Sequence, residues 1–227
     1  MRTEAGHSLN VDRHLFINVV HHVKFVNRFL ELAMKVSRAQ AAANRERVVE
    51  SSSRLFRDRG FADVGLNELM QAAGLTRGGF YGQFESKQDL VRLALAQAMA
   101  QNLANWETLT GEDGPARLRA FIARYLSERH QEARAAGCTL AALGSDMGRE
   151  DDATRGVFEA GLRRIEETVR AAMPGAGEAQ RRQQTWMCLS ALVGALTLAR
   201  GVADATLAAQ IREDTIAALI EALVPAA

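Results

Sequence analysis

Two cysteines and three prolines in 227 residues leave little to cross-link or interrupt this chain. Cys138 and Cys188 lie far apart and fit no metal-ligand spacing, so neither a disulfide framework nor a zinc site organises the fold. Such sparing cysteine use points to a reducing cytoplasm. Long apolar runs are also missing. The nearest approach, from Leu15 to Leu32, is broken by His21, His22, Lys24, Asn27, Arg28 and Glu31, which rules out a membrane span and a signal-peptide core. Charge of one sign is lacking as well: a net +1 excludes a general polyanion binder. There is no nucleophile–base–acid set, no phosphate-binding loop and no cofactor fingerprint, so neither an enzyme nor a bound cofactor is expected. His14, His21 and His22 have no carboxylate or cysteine at ligand spacing, and a metal is not expected either.

What remains is rich in helix formers. Hydrophobic residues make up 48% and charged residues 24%, enough for a soluble protein with a sizeable core. With Pro115, Pro174 and Pro225 the only prolines, and Ala, Leu, Arg, Glu and Gln abundant, helix is favoured almost throughout. The small positive excess is local. Residues 35–92 carry ten Lys/Arg against seven Asp/Glu, whereas residues 93–227 are net negative.

Residues 1–34 stand apart as an N-terminal extension, with Phe16, Val20, Val23 and Leu30 at near-helical spacing. Met34 is a natural beginning, because Ser37 with Gln40 three residues on forms a capping box; a flexible arm before it is the other reading. The helix so opened carries Ala41, Val48, Ser52 and Leu55 on one stripe, and Gly60 ends it. Its arginines 45, 47, 54, 57 and 59 read as a solvated face. A short helix from about Leu66 to Ala73 is broken by Gly74. Thr76 caps the next short helix, and Ser86 with Asp89 caps a long one reaching about Leu109. Four helices in so few residues, two of them short and joined by a glycine turn, describe a helix-turn-helix domain over residues 35–92. Beyond it, helices are expected at about 115–134, 138–146, 151–172, 178–200 and 205–223, making an all-α protein with a second, larger domain over residues 93–227. The last two helices are the most apolar, and a hairpin apolar on more than one face suggests a homodimer through residues 178–223, with Leu196 in the seam.

The stretch LMQAAGLTRGGFYGQF, residues 69–84, carries the functional signal. Glycine costs about 1 kcal/mol in a helix interior, yet Gly78, Gly79 and Gly82 crowd one short segment. A helix whose first turn approaches DNA closely is helped by residues without bulk. Thr76 caps and offers its hydroxyl to a phosphate, Arg77 has the fork to read a guanine edge, and Tyr81 and Lys87 reach the backbone. Phe84 packs inward.

Here the motifs become specific. Gly60-Phe61 after the first helix, Ala72-Ala73-Gly74-Leu75-Thr76 at the turn, Gly78-x-x-Tyr81-x-x-Phe84, and Ser86-Lys87-x-x-Leu90 occur in order. Together they resemble the DNA-binding domain of the tetracycline-repressor (TetR/AcrR) family of bacterial regulators over roughly residues 38–95. Two departures stand out: Gly65 where members often have Thr, and Gln83 where they often have His, so Gln83 is left as an uncharged donor to phosphate. The resemblance implies a homodimeric regulator of transcription, a repressor released from double-stranded operator DNA by a small-molecule effector. It also implies an effector cavity in the larger domain. Trp106, Phe121, Tyr125, Cys138, Met147, Phe158 and Trp186 are candidates for its wall, although each taken singly reads first as core. Cys138, after Gly137 and at a helix start, reads either as a buried hydrophobe or as the thiol of an electrophile or redox sensor.

Overall fold

A computed structural model describes residues 38–109 and 114–224, and every element among them is helical. The expected N-terminal extension, the Ser37 cap and the Met34 start lie outside the described residues. Contacts divide the chain between Arg45 and Glu46 into two compact units. In the described part of the first, helix continues through residues 38–45, and Gln40 donates from Nε2 to Asn44 Oδ1 at 3.0 Å.

The helix as a whole, α1, spans residues 38–59, and the second unit begins with its residues 46–59. Val48, Ser52 and Phe56, four apart, are buried on its inner face. Gly60 ends it with φ +79°, a conformation cheap only for glycine, and Phe61 turns back onto Phe56 edge-to-face at 5.1 Å. Arg57 corrects the expectation of a solvated arginine face. It is buried, donating from Nε to Ser53 O at 3.2 Å and from Nη2 to Gln101 Oε1 at 2.8 Å. Gln101 in turn donates to Glu50 Oε2 at 2.9 Å, so a polar clamp joins α1 to the long helix α3 (Lys87–Trp106).

Between these lie α2 (Leu66–Ala72) and a 3-10 turn, Arg77–Gly79. Ser86 caps α3 as its sequence foretells, its hydroxyl accepting from Asp89 N at 3.0 Å. Two thirds of the way along, α3 meets α7 (Asp152–Ala171) at Gly161. A Cβ at Gly161 would stand 2.5 Å from Met99 Cε, so the missing side chain sets how closely these helices pack.

The expected helix 115–134 is in fact two, α4 (Gly114–Tyr125) and α5 (Glu128–Glu132). Ser127 interrupts it by capping α5, its Oγ accepting from His130 N at 3.3 Å. The expected 138–146 helix shortens to α6 (Thr139–Leu143), with a 3-10 segment at Asp146–Arg149. Then α8 (Glu178–Gly201) and α9 (Ala205–Leu223) pair along their length, close to their expected bounds. Leu192 and Leu196 of α8 are wholly buried inside the protomer. Leu196 is therefore core, not seam. The large apolar residues that α8 and α9 leave exposed are Trp186, Met187, Leu198 and Leu207.

Candidate functional site: a glycine ledge and an aromatic cavity

The chain leaves α2 through a tight reversal. Gly74 adopts φ +71°, its N–H bonds Gln71 O at 2.9 Å, and the next N–H, of Leu75, reaches Met70 O at 2.9 Å. These two bonds are the Schellman pattern, which satisfies the last carbonyls of a helix and throws the chain sharply aside. The segment that follows is anchored by Phe80 and Phe84. Both are buried, with rings stacked at 5.3 Å. Because Phe80 and Phe84 point inward, Thr76, Arg77, Gly78, Gly79, Tyr81 and Gly82 are left on an exposed ledge. Tyr81, at 68% exposure, is held upright by the edge of Phe80 at 5.3 Å.

The expected roles change in detail. Thr76 has the extended backbone of a cap, but its hydroxyl makes no capping bond and stays available. The segment winds as a 3-10 turn and a further turn rather than a regular α-helix. Gln83 is half-buried, with Oε1 enclosed and lacking a partner. Lys87 is half-buried too. Its ammonium donates to Phe61 O at 3.0 Å, which ties the start of α3 to the end of α1 and leaves two of its three donors.

The glycines of the ledge have no internal explanation. A Cβ at Gly78 would come no nearer than 4.0 Å to Thr76 Oγ1, at Gly79 3.8 Å to Met70 Cε, and at Gly82 4.0 Å to Gly79 O. None has positive φ. Neither crowding nor backbone strain within the protomer demands glycine there.

The second candidate site lies further along α3. A cavity of about 380 Å³ is floored by Trp106 from α3, Phe121 and Tyr125 from α4, and Cys138 and Asn102. All five floor residues are buried. The three rings pack at centroid distances of 4.8, 5.3 and 5.9 Å. Around the mouth stand Asn105, Arg124, Ser127, Arg129 and His130. Of the sequence candidates for a cavity wall, Trp106, Phe121, Tyr125 and Cys138 therefore meet at one place, and three do not. Met147 is buried in the 3-10 segment before α7, Phe158 packs beside Gly144, and Trp186 sits 43% exposed on α8.

His130 orders this cavity, and no sequence pattern announced it. Its Nε2 accepts the Cys138 N–H at 3.1 Å, so the proton must sit on Nδ1, which then donates to Tyr125 O at 2.6 Å. The ring thus holds both the end of α4 and the start of α6, and only in its neutral form. Burial, with the nearby Arg200 and Arg124, lowers its pKa against the hydrogen bond to Tyr125. Asn102 does similar work across the same segment, donating to Gly137 O at 3.2 Å and accepting from Thr139 N. Burial pushes the Cys138 thiol up, outweighing its contact with Tyr125. At neutral pH it is a thiol, not the thiolate that electrophile capture requires. The α6 helix it opens has only five residues.

A helix, a glycine turn and an exposed second segment seated on a larger helical body have the geometry of a helix-turn-helix, the motif with which many nucleic-acid-binding proteins enter the major groove. Residues 48–94 match the family model described as bacterial regulatory proteins, tetR family. Over that stretch, about a fifth of the chain, it is similar to that family's DNA-binding domain. It is 35% identical over 125 residues to the transcriptional regulator AcuR of Cereibacter sphaeroides, and 34% identical over 65 residues to the transcriptional repressor BepR of Brucella suis. Those alignments cover 51% and 29% of this chain, and 56% and 31% of the relatives, so the chain spans about half or less of the curated relatives it matches. Among solved structures, the reduced form of Escherichia coli NemR superposes with a TM-score of 0.68 at 21% identity, over 81% of this chain and all of that one. A TetR regulatory protein from Rhodobacter sphaeroides does so at 0.58 and 23%, over 79% and 98%. At such identities the superpositions speak for the shared fold alone. Among the described residues no helix is long and apolar enough to cross a membrane.

Proposed function

We propose that this chain is a cytoplasmic DNA-binding repressor of transcription, a homodimer whose grip on operator DNA is relieved by a small molecule in the aromatic cavity. The observation that carries this reading is the glycine ledge. Three glycines in five positions lack side chains that the protomer has room for. A requirement for small residues that does not come from within the fold comes from a partner, and close approach of duplex DNA is such a requirement. The partly free Lys87 ammonium, exposed Arg77, Tyr81 and the Thr76 hydroxyl supply phosphate and base contacts around it, with Gln83 left a donor through its amide nitrogen.

The dimer reading rests on α8 and α9. Among the described residues, the large hydrophobics that stand exposed are, apart from Tyr81, on these two helices, apolar surface of the sort that two-fold pairing covers. Coupling between cavity and ledge follows α3. Gln101 holds Arg57 of α1, while its neighbour Asn102 holds residues 137–139 behind the cavity floor. An effector that prefers one setting of residues 137–139 biases α3, and through it the two ledges of the dimer, between DNA-binding and released states. The test is selection of a bound duplex from a random pool, followed by anisotropy titration of that duplex and a scrambled one at several salt concentrations. Affinity for the selected duplex no greater than for the scrambled one would sink the reading.

A further inference from the structure

The cavity has one sign of charge. Its mouth carries Arg124 and Arg129, beside a His130 that its two hydrogen bonds hold neutral, and no Asp or Glu contributes to its wall. Arg124 is also aimed. Its Nη2 donates to Thr108 Oγ1 at 2.7 Å and Asn105 O at 3.4 Å, and its guanidinium carbon lies 5.3 Å from the Phe121 ring centroid. The Nε and Nη1 donors are not engaged by these bonds. A guanidinium fixed over an aromatic face with donors to spare is suited to a planar anion, which it can meet with two parallel bonds.

The floor adds a second requirement. The Tyr125 hydroxyl is enclosed and finds no oxygen or nitrogen partner among the described residues; the Cys138 thiol beside it is a weak one. A buried hydroxyl left without a good partner keeps its desolvation cost, and a ligand oxygen that accepts from it removes that cost. The cavity's volume is near the lower end of the about 300–1,000 Å³ usual for ligand sites, which limits the guest to a small molecule.

Building on the effector-gated reading above, we infer that the ligand is a small, flat organic carboxylate. Its anionic group is held by Arg124 and Arg129, its apolar body lies against Trp106 and Phe121, and a second oxygen accepts from Tyr125. Neutral and cationic molecules of the same shape are poor guests, because the arginines then stay unpaired or repel them.

The chain has two tryptophans, so Trp186→Phe leaves Trp106 as the sole indole and reports directly on the cavity. The probes are 4-hydroxybenzoate, 4-hydroxybenzamide, benzoate and benzylamine, titrated into the full chain without DNA. The expected result is saturable quenching by 4-hydroxybenzoate with a Kd at least tenfold below that of 4-hydroxybenzamide. Arg124→Met should abolish that preference while leaving the amide's Kd within twofold, and Tyr125→Phe should erase the advantage of 4-hydroxybenzoate over benzoate. Thermal melts of each variant confirm that it is folded. Equal binding of acid and amide, tighter binding of benzylamine, or no saturable quenching by any probe overturns the proposal. Repeating the titrations with bound duplex separates the two readings. A carboxylate that binds without weakening DNA affinity retains the anion site and removes the gating. DNA release driven equally by acid and amide retains the gating and removes the anion site.

Discussion

Replacing Gly78 and Gly79 by alanine should raise stability and lower DNA affinity together, a pairing of signs that an ordinary surface helix does not produce. Inside the protomer the new methyl groups meet nothing closer than 4.0 Å at Gly78 and 3.8 Å at Gly79, both ordinary contacts. Neither residue has a left-handed backbone, so alanine is compatible with the native conformation. Gly→Ala under those conditions stabilises by about 0.4–1 kcal/mol, through lost freedom in the unfolded chain. In a protein of this size that corresponds to a rise in Tm of about 1–4 °C per substitution. In the proposed DNA complex, each methyl would stand where the ledge meets the groove and would hold the backbone off its phosphate. The expected loss is at least tenfold in Kd for the selected duplex, or about 1.4 kcal/mol. Differential scanning calorimetry and anisotropy titration on the same preparations read both quantities. A variant that gains stability and keeps its DNA affinity would refute the claim that the glycines serve close approach. A variant that loses stability would show that the fold needs them after all.

Arg77→Ala should lose roughly ten- to a hundred-fold for the selected duplex and much less for a scrambled one, since a bidentate guanine contact is worth about 1–3 kcal/mol of discrimination; an unchanged ratio in anisotropy titrations would move Arg77 to a phosphate. Lys87→Ala should weaken both duplexes alike and flatten the salt slope by about one; an unchanged slope would leave its bond to Phe61 O as its whole role. Leu198→Glu, at 61% exposure, should give a folded monomer in sedimentation, whereas Leu196→Glu forces a carboxylate into the protomer core and should lower Tm steeply; a wild-type dimer for Leu198→Glu would place the interface elsewhere. His130 has a folded pKa below the ordinary 6.5, so the unfolded chain takes the proton first as pH falls. Its contribution is complete above about pH 6.5 and is lost as pH drops toward the folded pKa. In urea unfolding, His130→Gln should therefore be less stable than the parent at pH 7.5, with the gap closing by pH 5.5; a gap independent of pH would mean that the ring never titrates differently on folding.

Much of the backbone was legible because helix punctuation is local. Gly60, Gly74 and the Ser86–Asp89 pair act within one turn of themselves, and each sits where the sequence reading placed it. The misreadings had a common cause: a residue whose partner is remote in sequence. Arg57 was assigned to solvent because nothing nearby in the chain explains its burial; Gln101, forty-four residues on, does. Leu196 and Trp186 were given each other's surroundings because an apolar residue on a helix with two apolar faces shows no sign of which face meets the protomer's own core. The break between α4 and α5 did leave a signal, since Ser127 is a good cap, but the apolar period of α4 ran up to it and obscured it.

The cavity was half legible for a different reason. Trp106, Phe121, Tyr125 and Cys138 announce themselves by composition, because large aromatics and cysteines are scarce in this chain. The residues that give the cavity its chemistry do not. Arg124 and Arg129 look like any solvated arginine, and Asn102 and His130 act on main-chain groups of residues 137–139, which carry no side-chain code to match. That is also why the coupling along α3 is invisible until the helix is built. Gln101 and Asn102 are neighbours in sequence, and successive helical residues point about 100° apart, so one reaches α1 while the other reaches the cavity's back wall. A single turn of helix thus touches both α1 and the segment behind the cavity. What makes it informative is the rotation between two adjacent amides, not their identity.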